Sequence, residues 1–81
     1  MDKKQFEQEI IALDSAISDA PTDSDLYFLR GRLNYRMGEM HSALNDFIRA
    51  YETDSRNFAA REYIEMISEI FEFHYKDIYN P

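Results

Sequence analysis

The apolar positions of this chain recur at helical spacing from one end to the other. In the first segment, Lys3 to about Ser18, Phe6, Ile10, Leu13 and Ile17 stand four, three and four residues apart with Ala16 beside them, the stripe of an amphipathic helix. It stops before Pro21, which lacks an amide donor and biases Ala20 away from the α region. A second helix is predicted over about Asp25 to Met37, capped by the side-chain oxygen of Asp23 or Ser24 and closed by Gly38, which takes the left-handed conformation without a Cβ penalty. After a short turn, a third helix runs from His41 or Ser42 to about Thr53, with Ala43, Leu44, Phe47, Ile48, Ala50 and Tyr51 on one side. So short a connection places these two helices antiparallel and in contact. The fourth helix starts after Asp54, Ser55, Arg56 and Asn57, with Ser55 or Asn57 as its cap, and reaches about Asp77. Its stripe of Ala60, Tyr63, Ile64, Ile67, Ile70, Phe71, His74 and Ile78, widened by Met66 and Phe73, is more than one neighbouring hairpin covers.

Displacing the chain against itself by 34 residues preserves residue class at most core positions. Ile10 falls on Leu44, Leu13 on Phe47 and Ala16 on Ala50. On the other helix type Leu26 falls on Ala60, Leu29 on Tyr63, Leu33 on Ile67 and Met37 on Phe71. The first helix is therefore equivalent to the third, and the second to the fourth.

The stretch from Ser24 to Asn57 is the one complete unit of this period, and it resembles a tetratricopeptide repeat, whose pattern is W-x2-L-G-x2-Y, then A-x3-F, then P. Tyr27 matches the aromatic opener, Gly31 the glycine, Ala43 and Phe47 the Ala/Phe pair, and Ala50 follows three residues on. Arg30, Asn34 and Ser55 depart from the usual Leu, Tyr and Pro, while the preceding half-repeat keeps its proline as Pro21. The resemblance implies an all-α fold, four antiparallel helices in a short α-solenoid. Residues 3–18 are then a half-repeat helix, 24–57 the complete repeat and 58–78 a long capping helix, because Glu65 and Glu72 stand where another hairpin needs glycines. Gly31 and Ala43 let two helix axes approach closely beside Phe47 and Tyr27.

Composition narrows what such a domain does. With 81 residues, 44% hydrophobic and 15% aromatic, there is material for one small core and no second domain. The absence of cysteine excludes a disulfide framework and thiolate metal sites. The net charge of −7 is uneven: two lysines face six acids before Ser24, five arginines balance five acids over 24–57, and two cations face five acids thereafter. That balance repels phosphate backbones, so neither nucleic acid nor an anionic membrane is expected as a partner. No leader pattern and no apolar run of about 20 residues is evident, which predicts a cytoplasmic protein.

Carried over from the family, the ligand-facing groove is Asp25, Phe28, Arg32, Tyr35 and Arg36 on the second helix with Ala59, Glu62, Met66 and Glu69 on the fourth. Arg32 and Arg36 are i,i+4 neighbours with Phe28 one turn before Arg32, a grouping suited to an acidic or C-terminal carboxylate segment of a protein partner. The alternative is a solvated face in which Arg32 and Arg36 pair with Glu62 and Glu69. The family's chaperone-binding clamp needs Lys and Asn at groove positions where Phe28 and Arg32 stand here, so that activity is not implied. No catalytic constellation, cofactor motif or metal-ligand spacing is present: His41 sits at a helix boundary, His74 on an apolar stripe, and the pairs Glu62/Glu65 and Glu65/Glu69 on a helix face with no recess to tune them. The expected function is a non-catalytic protein-interaction module using the groove between the second and fourth helices. The competing reading is a structural, self-associating unit that uses the aromatic end, Phe71, Phe73, Tyr75 and Tyr79, to form a homo-oligomer.

Overall fold

The computed structural model describes the backbone of residues 2–79 and the side chains of residues 2–72. Four helices are present, α1 (Lys3–Asp19), α2 (Ser24–Arg36), α3 (Met40–Thr53) and α4 (Phe58–Tyr79), with no strand among the described residues. Each boundary lies within about two residues of its sequence expectation. The side chains of Phe73, His74, Tyr75, Ile78 and Tyr79, to which the sequence assigns stripe and aromatic roles, lie outside the described residues.

Local chemistry accounts for where the helices start and stop. At the head of α1 the Asp2 carboxylate accepts from the Gln5 N–H, and the Asp2 N–H donates back to the Gln5 side chain, both at 2.9 Å, a reciprocal cap. Asp23 caps α2 by accepting from the Asp25 N–H, and Asn57 caps α4 by accepting from the Ala60 N–H. Gly38, at φ 81°, ends α2. Its N–H donates to the Tyr35 carbonyl and that of Glu39 to the Asn34 carbonyl, which satisfies two orphan acceptors of the last turn.

The contacts fix the chain directions. Phe6 meets Arg36 while Asp14 meets Arg30, so α1 and α2 are antiparallel. Ser24 meets Ala50 while Asn34 meets Asp46, which sets α2 against α3 in the same way. His41 meets Phe71 while Phe47 meets Tyr63, which does so for α3 and α4. Each helix thus packs on its sequence neighbour. α4 also reaches α2, running parallel to it, through Phe28–Tyr63 and Tyr35–Met66.

The core is centred on the crossing of α2 and α3. Phe47, Ala43, Ala50, Ala60 and Ile67 are fully buried. A Cβ on Gly31 would lie 2.8 Å from the Phe47 ring, so the absent side chain is what admits that ring. Phe47 stacks on Tyr63 with centroids 4.4 Å apart and planes 8° from parallel, and Phe28 closes the group at 5.6 Å from Phe47. At one end of the crossing the Ser24 hydroxyl donates to the Ala50 carbonyl (2.6 Å) and accepts from the Asn57 amide (2.9 Å), which ties the starts of α2 and α4 to the end of α3.

Burial fades away from this crossing. Of the α1 stripe only Ile17 is buried, while Phe6, Ile10, Leu13 and Ala16 are half-buried, because α1 has a helix on one side only. Ile48 and Ile70, assigned by period to inward faces, are more than a third exposed for the same reason: no described element lies beyond them.

Candidate functional site

The first feature around which a site is built is a polar cluster between three helices. Arg30 of α2 directs its Nε at both oxygens of Asp46 on α3 (3.1 Å each) and its Nη2 at Oδ1 (2.8 Å), while its Nη1 reaches Asp14 of α1 at 2.8 Å. The Asn34 amide donates to the second Asp46 oxygen at 2.9 Å. Asp46 is buried, so its carboxylate is compensated by four donated bonds rather than by water. Those bonds to Asp46, with the one to Asp14, hold the Arg30 guanidinium above its ordinary value against the opposing effect of burial.

This cluster links α1 to α2, and elsewhere along the same pair of helices lies an open groove of about 350 Å³. Leu13, Leu29 and Leu33 line it with Ala12, and Glu9, Arg32 and Arg36 stand along it. The Arg36 guanidinium lies 5.4 Å from the centroid of the Phe6 ring and that of Arg32 lies 6.0 Å from the Phe28 ring. Both arginines are exposed, and neither has an ion-pair partner among the described residues. Leu29 is 45% exposed, a large apolar side chain next to two free cations.

The residues expected at the site divide between four places. Phe28, Tyr35 and Met66 meet across α2 and α4: both rings pack on Tyr63, at 5.9 and 5.5 Å between centroids, and the Tyr35 hydroxyl points to the Met66 sulfur at 4.0 Å. They join the two helices and are half-buried in doing so, apart from Met66, which keeps an exposed edge. Arg32 and Arg36 turn to the α1 side and line the groove just described. Glu62 and Glu69 lie exposed on α4 with no ion-pair partner among the described residues, so the pairing with Arg32 and Arg36 does not form within the chain. Asp25 is at the far end of α2, in a mouth of about 410 Å³ shared with Asp23, Asp54 and Arg56.

No family model, curated protein or solved structure matches the chain.

What the site does chemically therefore rests on its own side chains. Among the described residues no group of three or more His, Asp or Glu is placed to hold a metal ion, and no helix is long and apolar enough to cross a membrane. His41 stacks on Phe71 at 4.6 Å between centroids while remaining exposed. Arg30, which departs from the repeat pattern as a polar residue at an apolar position, is the residue that sequence reasoning passed over. The available signal was Asp14, Arg30 and Asp46 at equal steps of 16 residues, one on each of three successive helices.

Proposed function

We propose that this chain is a non-catalytic interaction module that docks an acidic segment of a protein partner in the groove between α1 and α2. The observation that carries it is the pairing of Arg32 and Arg36, neither of them in an ion pair among the described residues, with exposed Leu29 and with Leu33 and Leu13 behind it. Charged donors supply orientation and apolar surface supplies the affinity that surface charge alone does not. Cation–π contact with Phe6 and Phe28 holds the two guanidinium groups in place, which lowers the entropy lost when they bind.

The architecture behind it is read as a short tetratricopeptide-like solenoid: a half-repeat in α1, a complete repeat in α2 and α3, and a capping helix in α4. Support comes from the 34-residue register together with the caps Asp23 and Asn57, which are equivalent in that register. The residues first assigned to an α2/α4 groove, Phe28, Tyr35 and Met66, then serve mainly to hold the two helices together, with Arg32 and Arg36 as the part that meets a ligand.

The test is direct binding of a fluorescent peptide designed as an amphipathic helix with Glu along one edge and Leu along the other. Anisotropy should rise with the wild-type chain and fail to rise with the R32E/R36E variant, whose helicity by circular dichroism should match wild type because both positions are exposed and α1, though it loses the Arg36–Phe6 contact, keeps buried Ile17 and the Arg30–Asp14 bridge. Equal binding by the two chains would remove the proposal.

A further inference from the structure

The two ends of the helical array differ, and the internal period says what fits the open one. Under the 34-residue register the pair α1/α2 is equivalent to α3/α4, so the groove residues Leu13, Leu29, Arg32 and Leu33 correspond to Phe47, Tyr63, Met66 and Ile67. In α3/α4 that surface is covered: α2 lays Phe28 and Tyr35 on Tyr63, Gly31 on Phe47, and the Tyr35 hydroxyl beside Met66. On α1/α2 no helix lies over it: Leu29 and Arg32 are exposed and Leu13 is half-buried, only Leu33 being buried already, and together they line the groove. The missing element is a helix placed as α2 is placed. The one element of this chain that is equivalent to α2 is α4.

From this geometry we infer that the groove takes α4 of a second copy, so that copies associate head to tail. The inference rests on the docking reading above and names the partner. Applying the register to the α2–α4 contacts puts Glu62 and Glu69 of the incoming helix where Phe28 and Tyr35 stand, and the Tyr35–Met66 contact becomes a contact between Glu69 and Arg32. The charges match: the incoming edge carries Glu62 and Glu69, unpaired among the described residues, and the receiving edge carries Arg32 and Arg36, unpaired likewise. Neither match exists inside one copy, where none of these four side chains forms an ion pair among the described residues.

The same substitution sets the strength. Where Gly31 meets Phe47 within the chain, Glu65 would meet the smaller Leu13, and Glu9 stands in place of Ala43. Two longer side chains hold the axes apart, and Glu65 is already occupied by Arg61 at 3.3 Å. The association is therefore weak and reversible. Because the two surfaces differ and each copy has one of each, it grows with concentration and does not stop at a dimer.

Sedimentation velocity over a concentration series tests this with single charge reversals. The wild-type chain should show a weight-average mass that climbs with concentration. R32E and E69R should each weaken association about tenfold, and the double reversal R32E/E69R, which restores opposite charges across the interface, should bring it back to within about threefold of wild type. Association that ignores both single reversals, or that the double reversal fails to restore, would overturn the inference. A chain that stays monomeric throughout but binds the acidic helical peptide in an Arg32- and Arg36-dependent way would overturn it too while leaving the docking reading intact. If neither association nor peptide binding occurs, both fall.

Discussion

At the scale of single residues, Gly31 has two opposed effects that can be weighed. Alanine there gains about 1 kcal/mol in helix propensity, but its Cβ would meet the Phe47 ring at 2.8 Å. That ring is fully buried and stacked on Tyr63, so it has nowhere to move. The strain wins, and Gly31→Ala should lower stability by about 1–2 kcal/mol, read as a shift in the urea midpoint. Asp46 acts through charge instead. Its removal leaves Arg30 with only the bond to Asp14 and leaves the Asn34 amide unpaired, so Asp46→Ala should cost about 2–3 kcal/mol in the same assay. The first of these positions is legible from sequence, because Gly31, Ala43 and Phe47 stand at the spacing that a close helix crossing needs. The second is not. A polar residue at an apolar position reads as an exception until three helices are assembled and their carboxylates converge on it.

Individual elements follow the same division. Helix starts and stops are written locally, in Asp2 with Gln5, in Asp23, in Gly38 and in Asn57, and each acts within five residues of itself. Which side of a helix meets a neighbour is not local. Arg32 and Arg36 share a stripe with Leu29 that any helix plot displays, yet whether that stripe turns to α1 or to α4 depends on how both helices sit around α2. The turn between α3 and α4 carries a titratable element of its own. The Arg56 backbone N–H donates to the Asp54 carboxylate at 2.9 Å, and with the Arg56 side chain it holds that carboxyl below its ordinary value. A depressed folded-state value means the contribution is present above the unfolded value and is lost as pH falls through the folded one. Carbon-detected NMR titration should therefore find Asp54 ionising at lower pH than a free aspartate, and Asp54→Asn should leave the turn insensitive to acid over that window. An unshifted Asp54 would contradict the observed bonds.

Taken whole, the molecule is extended and thin. Its radius of gyration is 13.7 Å, against about 12 Å expected for a compact domain of this length. Its shortest dimension over Cα atoms is 17 Å, about two helices deep. Such a shape concentrates burial in the middle. α2 and α3 share the core, whereas α1 is held by buried Ile17, by the Arg30–Asp14 bridge whose acid is half exposed, and by the Arg36–Phe6 contact. Hydrogen exchange should accordingly show α1 amides opening at lower free energy than those of α2 and α3, as a unit separate from global unfolding.

The attachment of α1 has a kinetic side. Since α1 is one wall of the groove, the docking surface proposed for it exists only in the molecules whose first helix is seated, and it vanishes each time that helix lifts. Apparent affinity is then the intrinsic affinity multiplied by the seated fraction. Occupancy and exchange become two readings of one equilibrium: whatever fills the groove should slow the α1 amides first, and a change that seats α1 more firmly, without touching the groove, should tighten binding by the same factor.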